Sequence, residues 1–243
     1  MKTSVFAGLC TVLLAEVVTA GLPSQAQPGT YEKMAPLEQY LMADRNAEIA
    51  LARSAAPPTI SNDATVLVLT PKGYETAVAG KNGFVCFVDR AWSSAFDDPG
   101  FWNPKGRGPT CMNAAAARSC LPVQQRQTQL ALAGLSREEI LAHMKDAVAR
   151  KEFPAPEIGS MSYMLSKQGY LNDHDGHWHP HLMFYVPGDT DGPAWGANLP
   201  ASPVYGGGQE LPGGGRMPWT LFFVPVAHWS DGTLEEAHPA DHN

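Results

Sequence analysis

One helix is signalled in this chain more firmly than any other element, and short β-like runs flank it on both sides, an order that points to the α+β class. Ser136-Arg137-Glu138-Glu139 is a capping box, in which a hydroxyl at the N-cap and a carboxylate three residues on satisfy backbone N–H groups reciprocally. Leu135 and Ile140 supply the hydrophobic staple around it. Ile140, Leu141, Met144, Ala147 and Val148 then share one face at helical spacing, and Phe153-Pro154 closes the helix.

Ahead of this helix, Thr65–Thr70, Tyr74–Ala79 and Phe84–Arg90 are rich in strand formers. They are separated by Pro71-Lys72-Gly73 and Gly80-Lys81-Asn82-Gly83, which carry the residues of tight turns. The spacing predicts a three-stranded antiparallel meander. Gln127–Ala133 alternates as a strand, with Thr128, Leu130 and Leu132 on one side. Beyond the helix lie Met161–Lys167, Trp178–Val186 and Trp219–Val226. A further helix is expected over Pro36–Arg53, with Pro in its first turn. No βα unit repeats, so the expectation is an antiparallel sheet of about six to seven strands with two main helices packed on it. A single domain would run over 61–232, after an extension and helix over 21–60 and before a flexible tail over 233–243. Residues 97–113 read as a long loop. In 187–218, 15 of 32 residues are Gly or Pro, which predicts a mobile lid or a disordered segment.

The chain opens on Met1-Lys2-Thr3, an apolar run from Val5 to Ala15 and Val18-Thr19-Ala20, the charged start, apolar centre and small-residue site of a signal peptide over 1–20. Cleavage after Ala26 is the alternative. The run is shorter than the roughly 20 residues that span a bilayer, so the expectation is a secreted or periplasmic protein without stable membrane insertion. With 17 Lys and Arg against 24 Asp and Glu, the net charge of −7 argues against a nucleic-acid partner, which would require a basic stripe. Removal of Cys10 with the leader leaves Cys86, Cys111 and Cys120 in a compartment that permits disulfides. Cys86–Cys111 and Cys111–Cys120 are the competing pairs. A structural role suits these cysteines better than a nucleophilic one, since Arg118 is the one nearby cation that would lower a thiol pKa.

Four of the eight histidines fall in Asp173-His174-Asp175-Gly176-His177-Trp178-His179-Pro180-His181, directly before Leu182-Met183-Phe184-Tyr185-Val186. If 177–186 is extended, its period of two puts His177, His179, His181, Met183 and Tyr185 on one face and Trp178, Leu182, Phe184 and Val186 on the other. Imidazoles two apart on a strand can converge on one ion. His174 and His228 are the candidates to complete the shell, and Pro180 marks a sheet edge or a bulge that would change the facing. A divalent transition metal follows, Zn²⁺ first, with Cu or Fe at the same ligands as the alternatives. Zinc-activated water would make the protein a hydrolase, with Asp175 and Tyr185 as candidate catalytic groups. A binding module without catalysis is the competing reading. Asp89 and Glu75 are further candidates for a general base, and Tyr170 for a proton donor. No nucleophile elbow, zincin helix, phosphate loop or dinucleotide fingerprint occurs.

Asn82-Gly83-Phe84-Val85-Cys86, Phe101-Trp102-Asn103-Pro104, Ser166-Lys167-Gln168-Gly169-Tyr170, Gly176-His177-Trp178-His179-Pro180-His181 and Trp229-Ser230-Asp231-Gly232 resemble a family of exported bacterial proteins with no assigned activity. The resemblance runs from about residue 45 to 232. It implies bacterial export and no mechanism.

Overall fold

The computed structural model describes residues 31–173, 175–188 and 190–236. The expected signal peptide over 1–20, with Cys10, lies outside the described residues, as do His174 and residues 237–243. Eight strands form one sheet: β1 (Thr65–Thr70), β2 (Gly73–Val78), β3 (Val85–Asp89), β4 (Gly108–Met112), β5 (Met161–Met164), β6 (His181–Pro187), β7 (Tyr205–Glu210) and β8 (Arg216–Pro225). Their order is β2-β1-β3-β4-β5-β6-β8-β7. The α+β class holds, but the sheet has eight strands instead of six to seven and is mixed, because β1 and β3 run parallel.

The parallel pair replaces the expected meander. β2 folds back on β1 as a hairpin, and the chain then passes beneath the start of β1, so that β3 leaves in the same direction on its other side. Gly80 is the crossing point. A Cβ there would stand 2.1 Å from the Thr65 nitrogen, so only glycine fits. Two strands were hidden in segments that read as loops. β4 opens on Gly108-Pro109, and β7 contains Gly206-Gly207-Gly208, so neither shows the side-chain alternation by which strands are recognised. The expected lid or disordered segment therefore contributes an edge strand, paired along β8.

The helices differ from expectation in position. The 36–53 segment forms a single 3₁₀ turn, Leu37–Gln39, and then α1 (Arg45–Arg53), which starts where the Asp44 carboxylate accepts from the Asn46 N–H at 2.8 Å. α2 (Pro58–Ser61) is one turn. α3 (Ala114–Ser119) leads through Cys120 into α4 (Leu121–Leu132), with Pro122 in its first turn. Gln127–Ala133 is thus largely helix, not strand. The buried residues Val123, Gln127, Leu130 and Ala131 of α4 follow a three-to-four spacing, and two of its buried polar side chains meet Trp92: the indole N–H donates to Thr128 Oγ1 at 3.1 Å, and the Gln127 amide donates to the Trp92 carbonyl. α5 (Arg137–Ala149) carries both hydrogen bonds of the expected capping box.

Both faces of the sheet are covered. Leu51, Ala52, Ala55 and Ala56, on and after α1, pack with Val66, Cys86, Val88 and Cys111. On the opposite face, Phe87, Met112, Met183 and Tyr185 pack with residues of α3, α4 and α5, among them Ala116, Leu130, Ile140 and Met144. Cys86 and Cys111 face each other in the β3–β4 register and form a disulfide, while Cys120 is a buried free thiol. The disulfide closes a 25-residue separation, a constraint worth about 2–4 kcal/mol.

α1 is tied to the sheet by a buried ion pair. Arg90 donates through Nη2 to Glu48 Oε1 at 2.8 Å, through Nε to the Tyr40 carbonyl at 2.7 Å and through Nη1 to the Val88 carbonyl at 2.5 Å. Glu48 Oε1 also accepts the Leu69 N–H. Removal of one partner strands a charge in the core, so Arg90→Met is expected to lower unfolding free energy by about 3–5 kcal/mol in urea titrations. Lys81→Ala, which breaks an exposed pair with Asp63, is expected to cost under about 1 kcal/mol. Equal losses from the two would contradict the assigned role of the buried pair.

Candidate functional site

The histidine-rich segment is divided by Pro180. Proline has no N–H to give a ladder, and β6 begins one residue later, at His181. The Pro180 carbonyl still accepts from Val226, which anchors the break beside β8. Within β6 the expected alternation is present: His181, Met183 and Tyr185 share one face, and Leu182, Phe184 and Val186 the other. The burial is reversed. The histidine face is the buried one, with His181 7% exposed, Met183 7% and Tyr185 5%, whereas Leu182, Phe184 and Val186 are half-buried.

His181 is accordingly a core residue. Its ring lies 5.6 Å from Phe223 and 6.4 Å from Trp178, and its Nδ1 sits 2.7 Å from the His179 carbonyl. Burial lowers its pKa and holds it neutral. Tyr185 sits in the same core with its hydroxyl 3.3 Å from Ser162 Oγ, and burial pushes its pKa up.

His177 and His179 precede the strand. Their segment is shaped by a turn in which the Leu171 N–H donates to the Gly176 carbonyl and the Gly176 N–H to the Asn172 carbonyl, with Gly176 at φ +73°. His177 Nδ1 lies 3.0 Å from the Trp178 carbonyl, and its ring meets Trp229 edge-on at 5.8 Å. His179 is half exposed, and its Nδ1 lies 2.5 Å from Glu235 Oε1. Glu235 reaches it because the chain after β8 folds back: the Glu235 N–H donates to the Ala227 carbonyl, and the Trp229 N–H to the Thr233 carbonyl. The first residues of the expected flexible tail are therefore part of the site. Trp178 fixes the base of the segment by lying on Gly169, where a Cβ would stand 2.5 Å from the indole ring.

The remaining candidates are dispersed. His228 is exposed in an isolated bridge with Leu234. Asp175 is exposed and accepts from Asn172 Nδ2 at 2.9 Å. Asp173, which neighbours the histidines in sequence, is committed elsewhere: it accepts from Tyr31 at 2.5 Å, from Tyr170 and from Lys105 at 3.0 Å. These donors hold its carboxyl well below the usual range. Asp89 is buried on the helix-packed face, and burial pushes its pKa up to about 7 against hydrogen bonds from Ser93 and Thr110. Burial raises the Cys120 thiol to about 11, which suits a structural cysteine. Among the described residues, no group of three His, Cys, Asp or Glu side chains is arranged to hold a metal ion. Sequence reasoning missed Glu235 and Trp229, and no spacing or motif would have linked them to residues some 50 positions earlier.

No family model, curated protein or solved structure matches the chain. Among the described residues, no helix is long and apolar enough to cross a membrane.

The depressed pKa of His181 gives a signed test. An imidazole whose folded pKa lies below its unfolded value of about 6.5 contributes stability that is present above that pH and is lost as pH falls through the folded value. His181→Gln is therefore expected to flatten the loss of stability on acidification below about pH 6.5, followed by urea midpoints across a pH series. Identical slopes in variant and wild type would show that His181 is not held neutral by the core.

Proposed function

We propose that this chain is an exported binding protein that takes a divalent transition ion, Zn²⁺ first, at the exposed turn before β6 through His177 and His179, without hydrolytic machinery of its own. The observation that carries this reading is the engagement of both Nδ1 atoms, one on the Trp178 carbonyl and one on the Glu235 carboxylate. Acceptors placed there assign the proton to Nδ1 and make Nε2 the basic nitrogen of each ring, the one that would ligate a metal. The same arrangement orients metal-bound histidines in general. Water or a partner's donor would complete the shell, and Cu²⁺ competes for the same nitrogens.

Binding is favoured over hydrolysis by what surrounds the pair. A zinc hydrolase needs an open coordination position in a shaped cavity with a base or oxyanion donor beside it. Tyr185 and His181 face the core on the far side of the Pro180 break, and Asp89 is buried with them. Export is supported by the Cys86–Cys111 disulfide, which persists in oxidising compartments.

Metal content after equilibration with Zn²⁺ and gel filtration tests the reading. One Zn²⁺ per chain is expected for the wild type and none for His177→Ala/His179→Ala, at unchanged thermal midpoint. Glu235→Gln should weaken binding by about 10–100-fold, as loss of an outer carboxylate does. Negligible zinc in the wild type, or equal zinc in the double variant, would overturn it.

A further inference from the structure

Far from the histidines in sequence, a cavity of about 210 Å³ opens beside the first turn of α1, with Met42, Val68, Leu69 and Pro71 on its apolar side and Arg45 and Glu48 as its charged residues. The Glu48 side chain is 2% exposed. Its Oε1 carries two hydrogen bonds, from Leu69 N–H and Arg90, whereas its Oε2 accepts none among the described residues. Oε2 is not among the fully buried polar atoms that lack a partner, so it is turned to the cavity and its solvent, where a ligand's donor can take the place of water. Arg45 lies three residues earlier on α1, hence on the same side of the helix and about 5–6 Å away at Cβ. It is exposed and has no ion pair among the described residues.

The charges decide what fits. Arg90 already neutralises Glu48, so a bare cation would add an unbalanced charge, and a bare anion would leave Oε2 unanswered. A ligand with a donor for Oε2 and a carboxylate for Arg45, a few ångströms apart on a short apolar body, satisfies both and is neutral overall. We propose that this cavity binds a free α-amino acid with a small aliphatic side chain, its ammonium on Glu48 Oε2, its carboxylate on Arg45 and its side chain against Met42, Val68 and Leu69. α-Hydroxy acids share the donor-plus-carboxylate chemistry and are the nearest competitors.

Four compounds with the same isopropyl group separate the contributions: L-valine, 2-hydroxyisovalerate, isovalerate and isobutylamine. Each is titrated to about 10 mM into the full mature chain and followed by amide chemical shifts and thermal midpoint, a range that registers dissociation constants near 1 mM. L-Valine is expected to bind saturably, with shifts confined to residues 41–48 and 68–71. Isovalerate lacks the donor and isobutylamine the carboxylate, so each should bind about tenfold more weakly or not at all. Arg45→Ala, at an exposed position, should weaken L-valine by a similar factor. Met42→Trp should abolish binding by filling the space without disturbing the buried pair. No saturable shift with L-valine, equal responses to all four compounds, tighter binding of the hydroxy acid, or binding unaffected by both substitutions would each overturn the proposal. Glu48→Gln is less informative, because it also weakens the partner of Arg90.

Discussion

Two opposite charges buried together depend on hydrogen bonds from the protein, and Glu48 and Arg90 obtain theirs by gathering four separate pieces of chain. Glu48 belongs to α1 and accepts the Leu69 N–H from β1; Arg90 follows β3 and donates to the carbonyls of Tyr40 and Val88. The pair therefore sets α1 against the parallel β1–β3 pairing, the one irregular step in an otherwise antiparallel sheet. Such a pair adds little net stability compared with well-packed apolar residues, because desolvation offsets the attraction, but it penalises every arrangement that separates its members. Tyr74 adds to the same junction by donating its hydroxyl to the Val88 carbonyl at 2.7 Å.

On the strands beyond β4 the governing constraint is a missing N–H. Pro180 stops the ladder from extending toward the amino end of the histidine run, so one sequence motif acquires two environments. His181 is drawn into the core with Met183 and Tyr185, and His177 and His179 stay in a turn held by Trp178 beneath and by the returning 227–235 segment beside it. A carboxylate on His179 and a carbonyl on His177 then fix which nitrogen of each ring carries the proton. His181 is buried with the core, while His177 is part-buried and His179 half exposed, so the three rings do not share one environment.

What the residues revealed in advance follows from how local each signal is. The capping box of α5 could be read because both of its hydrogen bonds close within four residues. Cys86–Cys111 was one of two open pairings and is the one formed, since β3 and β4 bring those positions opposite each other. The parallel step from β1 to β3 was illegible because pairing direction depends on where the 79–84 segment crosses, and Gly80 alone hints at it. β4 and β7 escaped detection because proline and glycine erase alternation. Gln127–Ala133 misled because seven residues with alternating apolar positions also suit one side of a helix. For the histidines, the period of two sorted the side chains from His181 to Val186 but not His177 and His179, which precede the strand, and it could not say which face was core.

The division of the histidines at Pro180 is most directly tested by long-range ¹H–¹⁵N spectra of the imidazoles during Zn²⁺ titration. His177 and His179 should start with the proton on Nδ1, and their Nε2 resonances should shift with added zinc and saturate together. His181 should stay unchanged and neutral throughout. A zinc-dependent shift at His181, or none at the other two, would contradict the account.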